Sequence, residues 1–212
     1  MTDVYLEVGK KKTFAASLDW PGWARSGRDE HLALEALADY AERYAVIAKQ
    51  AGLKFVPGDL VVVDRAPGDA TTEFGALSKP VPADFTTVDA KTAKRHAALL
   101  RASWEVFDAV AAKTPPQLRK GPRGGGRDRD KMIHHLLESE TSYLRMIGLK
   151  YKPPAIDDSP AIDAMRAATL ELLGKSSDGQ PLRPNGWPAR FAVRRLAWHV
   201  LDHLWEMEDK TE

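Results

Sequence analysis

Stretches rich in proline and glycine interrupt the second half of the chain three times, and they constrain its fold more than any other feature. They begin at Thr114-Pro115-Pro116, at Pro153-Pro154 and at Gly174. A helix does not run through such stretches, because proline lacks a backbone N–H and glycine weakens a helix interior. The apolar spacing between them predicts helices over residues 89–112, 128–147, 158–173 and 189–209. Four helices of this length are typical of a four-helix bundle.

The first half of the chain has a different pattern. Residues 3–8 and 12–18 predict two short strands joined by a turn at Gly9-Lys10-Lys11. Apolar residues at helical spacing predict a helix over 29–50, and the β-branched run at 60–64 predicts a third strand. The fold class expected from both halves is α+β, a small sheet-and-helix unit followed by the bundle. The predicted organisation is one unit over 1–65, a linker rich in Gly, Pro, Thr and Ala over 66–88, and a bundle over 89–212.

Charge and composition narrow the classes of function. The 212 residues contain 31 basic and 30 acidic side chains, a net charge of +1, which argues against a general nucleic-acid or membrane binder. The absence of cysteine excludes disulfides, zinc–thiolate sites and a cysteine nucleophile. The N-terminus shows no signal peptide and no apolar run is long enough to span a membrane, so the expected location is the cytoplasm.

Two histidines four residues apart, His199 and His203, are the feature of the sequence that most strongly indicates a functional site. On a helix they lie on one face, where both imidazoles can bind one metal ion. A third ligand is available from the second predicted helix of the bundle, which carries His134 and His135. Adjacent residues on a helix differ by about 100° in direction, so only one of the two can join the pair. Periodicity favours His135 weakly and leaves His134 open.

A HxxxH pair alone is more often a pair of surface or core histidines than a metal site. Here the apolar neighbours Trp198, Leu201, Leu204 and Trp205 and the additional histidine favour metal binding. Three imidazoles with an open fourth position are the pattern of a catalytic zinc site, although nickel, iron and copper also accept imidazole. Nearby carboxylates, Glu138, Asp202 and Glu206, can orient such ligands, and we expect catalytic roles for Glu138 and Asp202. The alternative for each is an ordinary solvated helix residue.

Basic residues are concentrated around the predicted bundle loop and before the HxxxH pair. The loop combines them with the run Gly124-Gly125-Gly126, which lets backbone N–H groups approach an anion, next to the start of a helix. We expect an anionic cofactor to be bound by Arg123, Arg127 and Arg194. A soluble surface loop is the alternative. The other basic residues of this set are Arg119, Lys120, Arg129, Arg190 and Arg195.

With these residues placed, the segment 90–210 resembles the DinB/YfiT-like superfamily of metalloenzymes. The matching stretches are His135-Leu136-Leu137-Glu138 and His199-Val200-Leu201-Asp202-His203. The resemblance implies a DinB-like four-helix bundle whose metal ligands are His135, His199 and His203, with zinc expected first and nickel or iron as alternatives. It also implies a low-molecular-weight thiol as cofactor for some members.

The segment 3–50 resembles a HicB-type antitoxin domain. The resemblance rests on Phe14-Ala15-Ala16-Ser17-Leu18-Asp19-Trp20-Pro21-Gly22, followed by Gly27 and a helix. HicB antitoxins normally add a DNA-binding unit, whereas here a helical bundle is expected instead. The resemblance therefore implies a packing module that could form a homodimer rather than a working antitoxin.

The function expected from all of this is a divalent-metal-dependent transferase or hydrolase. A bound metal ion would lower the pKa of a thiol or a water molecule at the open position. The expected partners are a small-molecule substrate or a thiol cofactor, with no membrane and no nucleic acid. The alternative is a non-catalytic interaction or regulatory protein related to stress response or to toxin–antitoxin modules.

Overall fold

A computed structural model describes residues 1–121 and 125–211 of the chain. In these residues the structure is a mixed α/β arrangement with one four-stranded sheet and seven α-helices. The strands are β1 (Thr2–Val8), β2 (Thr13–Ser17), β3 (Ala24–Gly27) and β4 (Leu60–Pro67). The helices are α1 (Glu30–Asp39), α2 (Ala41–Gln50), α3 (Ala70–Phe74), α4 (Ala90–Ala111), α5 (Arg129–Arg145), α6 (Ser159–Leu173) and α7 (Ala189–Thr211).

The sheet has the strand order β3-β2-β1-β4. The chain forms an antiparallel hairpin from β1 and β2, in which Val8 lies opposite Thr13, and later adds β4 parallel to β1. A parallel neighbour requires a crossover, and α1 and α2 lie within that connection. The predicted strands at 3–8, 12–18 and 60–64 are present, whereas the short strand β3 was not predicted.

Both faces of the sheet are covered, which explains why β1 is buried continuously from Val4 to Glu7. Val4 and Leu6 belong to the main core together with Leu37 of α1. Tyr5 lies on the other face, in a second cluster that includes Trp198 of α7. Because side chains alternate along a strand, one strand contributes to two layers. One face of the sheet therefore packs against α1, and the other packs against Leu77 and Val81 and against Trp198 of α7.

The predicted helix over 29–50 is divided in two at Tyr40. Tyr40 ends α1 with φ of −87° and ψ of 4°, and α2 begins at the next residue. Its ring packs edge-on against Trp205 with a centroid distance of 4.9 Å, and the Arg25 guanidinium lies 4.1 Å above it. These contacts come from β3 and α7, so tertiary packing overrides a continuous helical pattern.

The four long helices pack on one another around α7. α4 contacts α7 and α6, and α5 contacts α7. Most side chains of α7 from Ala189 to Met207 are buried. Its neighbours also include the turn at Gly22, where φ is +91° and an added Cβ would lie 2.8 Å from Leu201 Cδ1. The burial on all sides of α7 places its histidines inside the protein.

The segment predicted as a linker, 66–88, contains α3 and a 3-10 turn at Pro82–Phe85. Asp69 caps α3 by accepting from the Thr71 backbone. The 3-10 turn supplies Asp84, which forms a buried ion pair with Arg194 of α7, with Nε 3.0 Å from Oδ1. The segment is thus ordered, and the division of the chain into two units stays a prediction. No helix in the described ranges has the length and apolar character that crossing a bilayer requires.

One buried histidine outside the predicted metal site makes the stability of the fold depend on pH. His96 of α4 is 2% exposed and its Nε2 has no hydrogen-bond partner. Burial, reinforced by the charges of Arg190, Arg95 and Arg194, lowers the pKa of His96 from 6.5 to about 3. The unfolded chain therefore binds a proton below pH 6.5 that the folded chain does not bind. Stability is consequently lost as the pH falls below that value.

When the pH falls from 7 to 5, we expect the unfolding free energy of wild type to drop by about 2 kcal/mol more than that of the His96→Leu variant. The variant lacks the histidine that causes this part of the drop. Urea unfolding of metal-free protein at the two pH values measures this difference. His31→Leu is the control, because the side chain of His31 is 79% exposed, and it should behave as wild type. An unchanged pH dependence in His96→Leu would contradict the expectation.

Candidate metal centre

Three histidines converge where α5 packs against α7. His199 and His203 lie one turn apart on α7, and His135 approaches from α5. One nitrogen of each ring lies within 4.8 Å of the others. The ring centroids are 4.7 Å apart for His199 and His203, and 5.2 Å and 5.0 Å from His135 to these two rings. The three side chains lie close enough to hold one metal ion.

The adjacent histidine of α5 points elsewhere. His134 is exposed, and its Nδ1 lies 3.4 Å from the Glu138 carboxylate one turn on. His135, one residue later, lies on the face of α5 toward α7. The turn of about 100° between adjacent helix residues produces this difference. The structure thus brings together His135, His199 and His203, the set named by the resemblance.

Burial keeps two of the three imidazoles neutral. His199 and His203 are 7% and 6% exposed, while His135 is half-buried. Burial, reinforced by the charges of Arg127 and His203, lowers the pKa of His135 to about 4. Burial also lowers the pKa of His199 well below its ordinary range. Near neutral pH these rings carry no charge and offer lone pairs, which is the form that metal ions bind.

A carboxylate of α7 orients one of the three rings. Glu206 Oε2 lies 3.0 Å from Nδ1 of His203. An ionised carboxylate can only accept a hydrogen bond, so this contact holds the proton on Nδ1 and leaves the lone pair on Nε2. The bond to His203, opposed by burial and supported by Lys210, lowers the pKa of Glu206 to about 2. Such a carboxylate–histidine pair is the usual outer support of a metal ligand.

We expect Glu206→Gln to weaken zinc binding about 10–100-fold, because the neutral amide no longer holds the His203 proton as strongly. Competition with a chromophoric chelator measures the dissociation constant. The matched control is Glu208→Gln on the same helix, whose carboxylate pairs with Arg43 instead. An equal loss in both variants, or none in Glu206→Gln, would contradict this role.

The two carboxylates expected to be catalytic occupy different positions. Glu138 is exposed and lies beside His134, not within the triad. Asp202 accepts from Arg25 of β3 over 3.1 Å. Burial raises the pKa of Asp202, while Arg25 opposes this. Asp202 and Glu206 line one side of a cavity of about 320 Å³. The catalytic roles of Glu138 and Asp202 stay predictions, and the orienting contact belongs to Glu206.

Most of the basic residues around the predicted anion loop are engaged by the protein itself. Arg119 donates to the Asp209 carbonyl, Lys120 pairs with Asp128, and Arg129 donates to the Thr114 carbonyl. Arg127 is exposed and lies close enough to His135 to affect its pKa. Arg123 and Gly124 lie outside the described residues. The cofactor-binding role of Arg123 and Arg127 therefore stays a prediction.

Two neighbouring arginines of α7 have opposite surroundings. Arg194 is buried, and Asp84 engages both its Nε and its Nη2. Arg195 is also buried, and its Nη1 has no hydrogen-bond partner. Its guanidinium carbon lies 4.6 Å from the Tyr143 ring centroid and 4.8 Å from that of Trp198. The ion pair with Asp84 does not favour the cofactor role predicted for Arg194, which stays a prediction.

The residues present fit a divalent metal ion with nitrogen ligands. Tetrahedral zinc with Zn–N bonds of about 2.0–2.1 Å places its ligand atoms roughly 3.4 Å apart. The observed upper limit of 4.8 Å is within reach of small side-chain rotations. Nδ1 of His199 is buried without a partner, so part of this histidine's bonding capacity is not used within the protein. Three imidazoles leave a coordination position for a small molecule.

Residues beside the candidate site that the sequence pattern had not singled out are Arg25 and Tyr143. Glu206 was one of the three carboxylates expected to orient a ligand, and its contact with His203 agrees with the spacing His203-x-x-Glu206. Arg25 and Tyr143 gave no such signal, because they reach the site from β3 and α5.

No family model, curated protein or solved structure matches the chain. The resemblances to DinB/YfiT-like proteins and to HicB-type domains therefore stay predictions.

Proposed function

We propose that the protein is a divalent-metal-dependent enzyme that activates a thiol or a water molecule, as a transferase or a hydrolase. The observation that carries the proposal is the convergence of His135, His199 and His203 from two helices, with Glu206 supporting one ring. We further propose that α4 to α7 form a DinB-like bundle. Zinc is the metal proposed first, with nickel or iron as alternatives.

The chain's own residues define the chemistry that such a site supports. A divalent ion held by three imidazoles lowers the pKa of a thiol or water at its open position. Glu206 holds the His203 proton on Nδ1, so that the lone pair of Nε2 would be free to bind an ion. The buried position of His199 keeps water away from one side of the site, which strengthens electrostatic interactions there. The half-buried His135 marks the side from which a substrate can approach.

Two reactions test the proposal with simple probes. Protein reconstituted with Zn²⁺, Ni²⁺ or Fe²⁺ is assayed for conjugation of a small thiol to 1-chloro-2,4-dinitrobenzene and for hydrolysis of 4-nitrophenyl acetate. We expect at least one metal to raise one of the rates about tenfold or more over metal-free protein. The gain should be lost in His199→Ala and kept in His134→Ala, whose parent side chain is exposed.

Equal rates with and without metal would contradict the enzymatic proposal for these reactions. Stoichiometric metal without any rate would favour the alternative of a non-catalytic interaction protein.

A further inference from the structure

The metal site has a buried cationic neighbour, Arg195, one of whose donors makes no hydrogen bond. Arg195 is 7% exposed, and its Nη1 is buried without a hydrogen-bond partner. Within the described part of the chain Arg195 forms no ion pair with a carboxylate. Burial lowers its pKa, and Tyr143 and, among the carboxylates, Glu7 and Asp202 oppose this through their charge. Burying a guanidinium without an anion is costly, so such groups normally pair with a carboxylate or bind one from a ligand. The adjacent Arg194 shows the ordinary solution, its ion pair with Asp84.

The guanidinium of Arg195 lies next to the histidine triad. Arg195 precedes His199 by four residues on α7, so the two side chains share one helix face, with Cβ atoms about 5–6 Å apart. They also share two aromatic neighbours. Tyr143 and Trp198 lie 4.6 Å and 4.8 Å from the guanidinium carbon, and their ring centroids lie 5.5 Å and 6.0 Å from that of His199.

A second unpaired donor belongs to one of these two aromatic neighbours. The indole Nε1 of Trp198 is buried and has no hydrogen-bond partner. Tyr143, which is only partly buried, adds a hydroxyl close enough to the guanidinium for Arg195 to lower its pKa, although burial raises it overall. Buried hydrogen-bond donors that have no acceptor within the protein favour the binding of a ligand with an oxyanion. The planar fork of a guanidinium matches a carboxylate in particular.

We propose that Arg195, together with Nε1 of Trp198, binds the carboxylate of a small substrate or thiol whose other end reaches the histidine triad. The ligand class is a compact molecule of a few carbons with a metal-binding thiol or hydroxyl at one end and a carboxylate at the other. This inference rests on the proposed function and names the substrate class of the same site. Binding at both ends would fix the ligand's orientation before reaction.

The experiment compares two thiols of equal length, 3-mercaptopropionate and its uncharged amide, by calorimetric titration of zinc-loaded protein. Wild type should bind the carboxylate about tenfold or more tightly than the amide, as a charge-assisted bidentate contact predicts. In Arg195→Met the carboxylate should fall to the affinity of the amide, and binding of the amide should not change.

Arg101→Met is the control, because Arg101 is an exposed arginine on α4. It should keep the preference for the carboxylate. A preference that survives in Arg195→Met, or that disappears in Arg101→Met as well, would overturn the proposal. If Arg195→Met does not fold, Arg195→Lys replaces it. The lysine keeps the charge but loses the fork, so the preference should shrink, and an undiminished preference overturns the proposal.

A metal-free titration separates this inference from the proposed function. Propionate is added to metal-free wild type and to Arg195→Met, and binding is followed by saturation-transfer NMR. Binding only in wild type supports the carboxylate site even if zinc fails to bind, in which case the proposed function alone is lost. Equal propionate signals in both proteins would overturn the carboxylate site while leaving the metal site standing.

Discussion

Zinc binding is expected to fall by more than about 100-fold when His203 is replaced by alanine. Structural zinc sites with four ligands bind with roughly 10–16 kcal/mol, or about 3 kcal/mol per ligand, which corresponds to this factor. His203 is also the ring that Glu206 holds in place. Its loss therefore removes both a ligand and the pre-oriented part of the site. Elemental analysis of purified protein and chelator competition both measure the change.

The chain offers a matched pair of variants for the third ligand. His135→Ala and His134→Ala change adjacent residues of the same type on α5. His135 lies in the triad, whereas His134 is exposed beside Glu138. We expect His135→Ala to weaken zinc binding about as much as His203→Ala and His134→Ala to bind as wild type. Similar affinities for these two variants would show that the observed convergence is not a metal site.

The largest effect on stability is expected from Asp84→Asn. The carboxylate of Asp84 is 1% exposed, and it accepts from Nε and Nη2 of Arg194 and from the Val81 backbone. Removing its charge leaves a guanidinium buried without a counter-ion. We expect a loss of about 3–5 kcal/mol of unfolding free energy, because desolvation of that cation is no longer compensated. Urea unfolding at pH 7 measures the loss.

A surface pair of the same chemistry provides the control. Arg65 and Glu30 also form a bidentate pair, but both side chains are exposed. Glu30→Gln should leave the unfolding midpoint nearly unchanged, because solvent screens an exposed pair. The double variant Asp84→Asn with Arg194→Met should recover part of the loss. A cost of Asp84→Asn no greater than that of Glu30→Gln would contradict this account of the buried pair.

The helices could be predicted because their signals are local. The breaks at Pro115-Pro116, Pro153-Pro154 and Gly174 lie between α4, α5, α6 and α7 as the sequence indicated. The division at Tyr40 could not be predicted, because its cause is contact with Trp205, which lies far along the chain. β3 is only four residues long and contains Ser26 and Gly27, so its composition carries no strand pattern.

The candidate metal site could be predicted in part, because part of its signal is also local in the sequence. The spacing of His199 and His203 placed them on one face of a helix without reference to any other residue. The pairing of Asp202 with Arg25 joins residues 177 positions apart, and no local pattern reveals it. No local pattern distinguishes the adjacent residues Arg194 and Arg195 either. Asp84, 110 positions before Arg194, pairs with Arg194, while Nη1 of Arg195 has no hydrogen-bond partner.

The sequence by itself determined the helical segments and the histidine pair of α7, because backbone periodicity and chain breaks act over a few residues. Only the tertiary structure decided that His135 rather than His134 faces this pair, and that Asp84 pairs with Arg194 while Nη1 of Arg195 has no hydrogen-bond partner. These outcomes depend on which side chains from distant segments meet in the folded protein. Burial then sets how strongly each of these contacts affects the free energy, since an unpaired charge costs far more inside the protein than in water.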